Sequence, residues 1–298
     1  MKLLECVPNI SEGRDRDKIA SMVDEVKKHR KVKLLDTSSD GDHHRSVFTF
    51  IGEPEAIKEA AFSLVMKAID LIDMREHKGG HPRLGAVDVI PFIPVQGVEM
   101  EGAVQIAHEF GKALGKRGIP VFFYEEAATH PERKDLPSIR KGEYEGLEEK
   151  LRDPRWKPDE GPDRFNPRSG ATVVGARFPL VAYNVNLKTK DLALAKEIAK
   201  RVRFKDGGFP HVRAMGLDLK EKGVVQVSMN LTNYRVTNIP KVYEFIKEEA
   251  LKKGVEIEES ETVGLIPLGV LEGIARYYLK DPRFSTRQVI EQRILEFE

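Results

Sequence analysis

A single cysteine, Cys6, stands among 298 residues, which excludes an internal disulfide and a cysteine-rich metal centre and fits a reducing cytoplasm. Charge of one sign is also missing. The 49 Lys and Arg against 48 Asp and Glu leave a net +1, so a broad basic face for nucleic acid is excluded and any anion site must be local. No apolar run approaches the roughly 20 residues needed to cross a bilayer, and the longest candidate, Ala60 to Ile72, is broken by Lys67 and Asp70. Glu5 and Pro8 interrupt the N-terminal apolar residues well short of a signal-peptide core. A soluble cytoplasmic protein with no membrane partner is the expectation.

Several chemistries lack their residues. No Gly-x-Gly-x-x-Gly follows the first apolar strand, so nicotinamide dinucleotide binding is unsupported. Gly111 to Lys116 is one residue short of a phosphate loop and lacks the Ser or Thr that would hold magnesium. No nucleophilic serine elbow occurs, and Cys6 sits in an apolar strand without a cation to generate thiolate. Glutamine and asparagine are scarce too, at five and seven, while a third of the residues are charged, a balance associated with hot environments.

What is present is a regular alternation of periods. Leu3 to Val7 reads as a strand, and Ile19, Met22, Val23 and Val26 recur at helical spacing through residues 15–29. Val32 to Leu35 and Val47 to Ile51 read as two strands joined by a polar loop from Thr37 to Arg45. Pro54 begins a helix with one apolar face to about Met74. Ala86 to Ile93 is a strand, 99–116 a helix, and Ile119 to Tyr124 a strand. The second half repeats the βαββαβ order, with strands at Leu180 to Leu187, Val212 to Leu219, Val224 to Leu231 and Val255 to Ile266. Its helices fall at Asp191 to Val202, Ile239 to Lys253 and Gly269 to Leu279. Two α+β modules whose sheets face one another across a groove are expected.

Between the halves, residues 130–170 hold six of the 17 prolines, and Trp156 and Phe165 there favour order over disorder. Arg164 and Arg168 offer forked guanidiniums for carboxylates. The densest chemistry lies in His77-Lys78-Gly79-Gly80-His81-Pro82-Arg83-Leu84-Gly85, between an apolar helix and an apolar strand. Glycine lets main chain approach a ligand, and Pro82 holds His81 extended, which makes this imidazole a positioned acid or base at neutral pH. The four-residue spacing of His77 and His81 would suit zinc on a helix, but Gly79-Gly80 interrupts one and no Glu follows His77, so no metal is expected. Asp40, Asp42, His43 and His44 fail the calcium-loop pattern, because Ile51 occupies its twelfth position. Their other use is a carboxylate orienting His81, if the two loops meet.

Glu5 to Gly13, Leu71 to Met74, His77 to Val89 with Pro91 to Pro94, Gly170 to Thr172 and Gly175 to Arg177 together resemble the glutamate formimidoyltransferase family, from Leu3 to about Leu271. The resemblance implies two ferredoxin-like βαββαβ subdomains, 1–170 and 171–298, with stacked sheets enclosing a groove or tunnel, in a homodimer. It also implies transfer of a formimidoyl group between N-formimidoyl-L-glutamate and N5 of tetrahydrofolate, in histidine metabolism. The family's catalytic histidine corresponds to His81, and its folate-contacting stretch to Gly161, Pro162, Phe165, Pro167 and Gly170, to which the charge pattern adds Arg164 and Arg168. Family members carry an aspartate two residues after the position of Asp36. Here Ser38 stands there, and Asp40 is the carboxylate expected to assist His81. Arg45, Lys78 and Arg83 are the expected substrate-anion contacts. The cyclodeaminase part of animal members is not matched, which points to the stand-alone form. Two rivals remain: folate-dependent formyl transfer from 5-formyltetrahydrofolate to glutamate, and a non-catalytic folate-binding module.

Overall fold

Leu3–Cys6 (β1) and Asn9–Ile10 (β2) form one strand line interrupted at Val7-Pro8, because proline has no N–H to give to a ladder. The computed structural model describes residues 2–295, which fall into two units divided between Arg177 and Phe178. In the first unit follow Arg16–Lys27 (α1), Val32–Asp40 (β3), Arg45–Gly52 (β4), Pro54–Leu71 (α2), Val87–Gln96 (β5), Met100–Gly115 (α3) and Val121–Glu125 (β6). Two short helices, Leu136–Arg140 (α4) and Leu147–Arg152 (α5), precede the strand Thr172–Ala176 (β7).

The sheet is mixed. β4 pairs antiparallel with β3 on one side and with the β1/β2 line on the other, and that line pairs in turn with β5. β7 then lies between β5 and β6, parallel to both. Leu4, Cys6, Ile10, Phe48 and Phe50 point to one face and are buried with Met22 and Val26 of α1, Ile57 and Leu64 of α2, and Phe110 of α3. Each such side chain contributes about 1.5–3 kcal/mol relative to an exposed one. By strand alternation Asn9, Arg45 and Val47 face the opposite way. On that face, toward β6 and β7, a second cluster gathers Leu84, Val89, Phe122, Ile139 and Leu147, with Trp156 and Phe165 packed against it. The proline-rich segment is therefore ordered, as its aromatics suggest.

The second unit runs Val181–Leu187 (β8), Leu192–Val202 (α6), Val212–Leu219 (β9), Val224–Leu231 (β10), Ile239–Leu251 (α7), Ile257–Val263 (β11) and Leu268–Leu279 (α8). Its antiparallel sheet has the order β11-β8-β10-β9, and Val181, Tyr183, Val185 and Leu187 are buried with Ile198 and Val202 of α6 and Val242 and Ile246 of α7.

Most elements begin and end within a few residues of where periodicity puts them. Two differences reach the site. β3 continues to Asp40, so the expected polar loop from Thr37 shrinks to a tip of Gly41 to His44. β7 carries no polar alternation because it is buried on both sides, and its pairing with β5 and β6 places the unit boundary after Arg177, seven residues beyond Gly170. No described helix is long and apolar enough to cross a membrane.

Candidate active site

Three segments meet at one end of the first sheet: residues 11–14 after β2, the 41–44 tip, and the 77–85 loop. Asp40 closes the tip by accepting the N–H groups of Asp42 and His43, each at 2.9 Å. Gly80 N–H donates to the Asp42 carbonyl at 3.2 Å, and His77 Nε2 bonds the His44 carbonyl at 3.0 Å. A Cβ on Gly79 would lie 2.4 Å from the His43 carbonyl oxygen, so only glycine lets these chains come this close. The His44 and His77 rings stack with centroids 4.4 Å apart, and Gly13 N–H donates to His44 Nδ1 at 3.1 Å. Burial lowers the pKa of both rings and favours their neutral forms.

His81 stands over this junction on the sheet face away from α1 to α3. Its Nε2 is 2.7 Å from Arg45 Nη1, which also donates to Asn9 Oδ1 at 3.3 Å. A guanidinium can only donate, so His81 Nε2 accepts and the proton of the neutral ring is on Nδ1. Burial first, then the positive charges of Arg45 and Arg140, hold the His81 pKa down at about 3. The resting imidazole is thus neutral at physiological pH. A buried carboxylate, Asp88, 2 % exposed, acts on Arg45, forms an ion pair with Arg140 and accepts the Leu84 N–H at 3.0 Å.

The expected residues divide between this centre and its supports. The hairpin tip and the histidine loop do meet, but Asp40 faces His43, whose Nδ1 is 2.7 Å from Asp40 Oδ2, and His81 faces Arg45. Asp40 is consumed by its own turn and is not the orienting partner of His81. Arg83 is likewise spent internally: it is 5 % exposed, grips Glu145 with two bonds of 2.8 and 2.6 Å and Glu143 at 3.0 Å, and donates to His77 Nδ1 at 3.3 Å. With its donors so occupied it ties the histidine loop to the segment before α5 and offers no fork to a substrate anion. Lys78 is exposed, with no ion pair among the described residues.

The stretch from Gly161 to Gly170 spans two environments. Gly161 and Gly170 have φ of +84° and +65°, and a Cβ would meet the carbonyls of Ile119 and Leu84, so both glycines are required by packing. Gly170 bridges to Gly85, beside the histidine loop, whereas Gly161 lies at the end of α3. Pro162 and Phe165 are half-buried, and the Phe165 ring is 5.4 Å from that of Tyr144. Pro167 is exposed, and its carbonyl accepts the Tyr144 hydroxyl at 2.5 Å. Arg164 is exposed, while Arg168 donates to the Asp70 carbonyl at 2.8 Å.

Asn9, Asp88 and Arg140 are the site residues that sequence reasoning passes over. Asp88 had a signal, being the one charge in an otherwise apolar strand, but Arg140 lies 52 residues away with none. Among the described residues no group of three His, Cys, Asp or Glu is placed to hold a metal.

Comparison with known proteins adds an independent line. Residues 3–177 match the family described as formiminotransferase domain, N-terminal subdomain, and residues 182–296 match the formiminotransferase domain. The glutamate formimidoyltransferase of Thermoplasma acidophilum is 46% identical over 297 residues, 99% of this chain and 98% of that protein. That of Streptococcus pyogenes serotype M1 is 43% identical over 296 residues, 99% of each. The formimidoyltransferase-cyclodeaminase of Rattus norvegicus is 44% identical over 283 residues, which are 93% of this chain but 52% of the rat protein.

Proposed function

The chain belongs to the formiminotransferase family, and from that membership we propose that it transfers a formimidoyl group between N-formimidoyl-L-glutamate and N5 of tetrahydrofolate, with His81 as general acid/base. The names of the two relatives that it matches end to end supply the substrate class. The observation that carries the mechanism is the neutral imidazole of His81, held on Arg45 where three segments converge.

An amidine is protonated at neutral pH, so its carbon is open to attack by the N5 amine. As the N5–C bond forms, the attacking nitrogen becomes positive and gives its proton to His81, leaving a neutral tetrahedral adduct. The imidazolium then returns that proton to the glutamate nitrogen, whose bond to the same carbon breaks. Glutamate departs, and the amidinium is rebuilt on N5. One group must act first as base and then as acid, and a histidine moved toward neutrality by its ligand suits both halves. Arg45 provides the means: a substrate carboxylate that takes its guanidinium offsets the charge that depresses the ring and releases Nε2. Lys78, exposed on the histidine loop, adds a further cation to the approach.

For tetrahydrofolate, the reading assigns a flat ring to the half-buried Phe165 and a glutamate tail to Arg164 and Arg168. Gly161, Pro162, Pro167 and Gly170 set the path of that segment. The strand order of the second sheet, β11-β8-β10-β9, and the matching order β5, β1/β2, β4, β3 within the first support reading both units as ferredoxin-like.

The test is direct turnover of N-formimidoyl-L-glutamate with tetrahydrofolate by the purified protein. His81→Ala is expected to lower kcat by about 10²–10⁴-fold, the usual contribution of a positioned proton carrier. Absence of product from the wild type, or an unchanged kcat in the variant, would overturn the assignment or the role of His81 respectively.

A further inference from the structure

Arg45 and Arg140 each leave part of the guanidinium without a hydrogen-bond partner among the described residues. Arg45 spends one nitrogen, Nη1, on His81 and Asn9, while its Nε is buried with no hydrogen-bond partner. An orphaned buried donor is unfavourable, and a carboxylate arriving along that edge of the guanidinium would satisfy it. Arg140 directs Nε and Nη2 at Asp88 and has no bond on Nη1 among the described residues. Its side chain is 16 % exposed, and Asp88 is doubly anchored because it also holds the Leu84 N–H. The two guanidiniums repel one another electrostatically and both act on His81, so they share one locale. Asp88 is paired with Arg140, and Asp40, which holds His43, also acts on Arg45 from the facing position of β3, so each carboxylate is already engaged by a group of the protein.

We propose that Arg45 takes the α-carboxylate and Arg140 the side-chain carboxylate of the amino-acid substrate, so that the pair selects a dicarboxylic amino acid and Asp88 fixes the second guanidinium in place. The inference rests on the transfer reaction above and adds the residues that read its donor. Bond connectivity supports the order of contacts. In N-formimidoylglutamate the reacting nitrogen sits on the carbon that bears the α-carboxylate, so an anion bound on Arg45 brings that nitrogen to the ring Arg45 touches. The carboxylates of a folate tail are separated from N5 by a whole p-aminobenzoyl group and cannot reach Arg45 while N5 is at His81. Paired forks on two carboxylates also give geometric selection that lysines would not.

Calorimetric titration with L-glutamate and with its isostere L-glutamine tests the idea, since the ligands differ only in side-chain charge. Wild-type protein should prefer glutamate by about 10–100-fold, the range of one to two charge-assisted bonds. Asp88→Asn/Arg140→Gln, which removes the buried pair as a unit, should bring the preference to within about 3-fold, leaving glutamine affinity unchanged. Arg140→Lys, which keeps the charge and loses the fork, should fall between. Wild-type protein that does not distinguish the ligands, or variants that keep the full preference or weaken both ligands equally, would overturn the proposal. Steady-state assays with N-formimidoyl-L-glutamate should show the double variant's loss mainly in KM, with kcat within about 10-fold of wild type. Discrimination between the free amino acids without any turnover would retire the transfer reaction and leave the clamp standing.

Discussion

At His81, burial and two guanidiniums press in the same direction, so the ring's proton affinity depends on what sits on Arg45 and Arg140. Two measurable consequences follow from the sign of that shift. A histidine whose folded pKa is depressed binds fewer protons than the unfolded chain between about 3 and 6.5. Its contribution is complete above the unfolded value and is lost as pH falls toward the folded one. Urea melts at pH 7 and pH 4.5 should therefore show an acid loss of stability that shrinks in His81→Asn. Bound L-glutamate should raise the His81 pKa toward neutrality by masking the guanidiniums, which ring-resonance titration by NMR would register; a pKa that stays near 3 with ligand bound would contradict the acid/base cycle.

How much of this was legible differs from residue to residue. His81 could be picked out because a histidine fixed by a following proline, among glycines, has few uses other than chemistry. Arg45 in place of Asp40 could not, since which neighbour a turn consumes is decided by main-chain N–H groups and not by the spacing of charges. Arg83 illustrates the same limit: an arginine in a loop reads as an anion contact until the fold supplies Glu143 and Glu145.

At the scale of elements, the long apolar helices and strands were readable because each has one buried face. β3 was cut short in that reading because it is an edge strand with polar residues through Thr37 to Asp40 and so lacks alternation there. Its extension to Asp40 is what carries the tip to the histidine loop. Gly79→Ala should separate them, costing about 1–3 kcal/mol of stability in denaturant titration and reducing activity more than the stability loss alone predicts. Arg83→Ala should release the Glu143 and Glu145 segment from the loop. A loss of about 1–3 kcal/mol in urea unfolding is expected, together with faster amide exchange over residues 77–85.

For the whole molecule, the division after Arg177 means that His81, Arg45, Asn9, Asp88 and Arg140 all belong to one unit with its own sheet and core. A fragment of residues 1–177 should therefore unfold cooperatively in urea, as followed by circular dichroism. A broad, non-cooperative melt would mean that the first sheet depends on the rest of the chain.

The slot that β7 occupies has a kinetic corollary. Its neighbours β5 and β6 precede it in the chain, yet it must lie between them, and the 126–171 segment that brings it there also carries Arg140 and the supports of the histidine loop. A chain that ends before residue 172 lacks the strand that lies between β5 and β6, so β6 has no strand of this sheet to pair with. Such distant parallel pairing is slow. The last strand to enter this sheet thus closes behind the segment that equips the active centre, and a nascent chain stalled before that point holds neither a finished sheet nor a working catalyst.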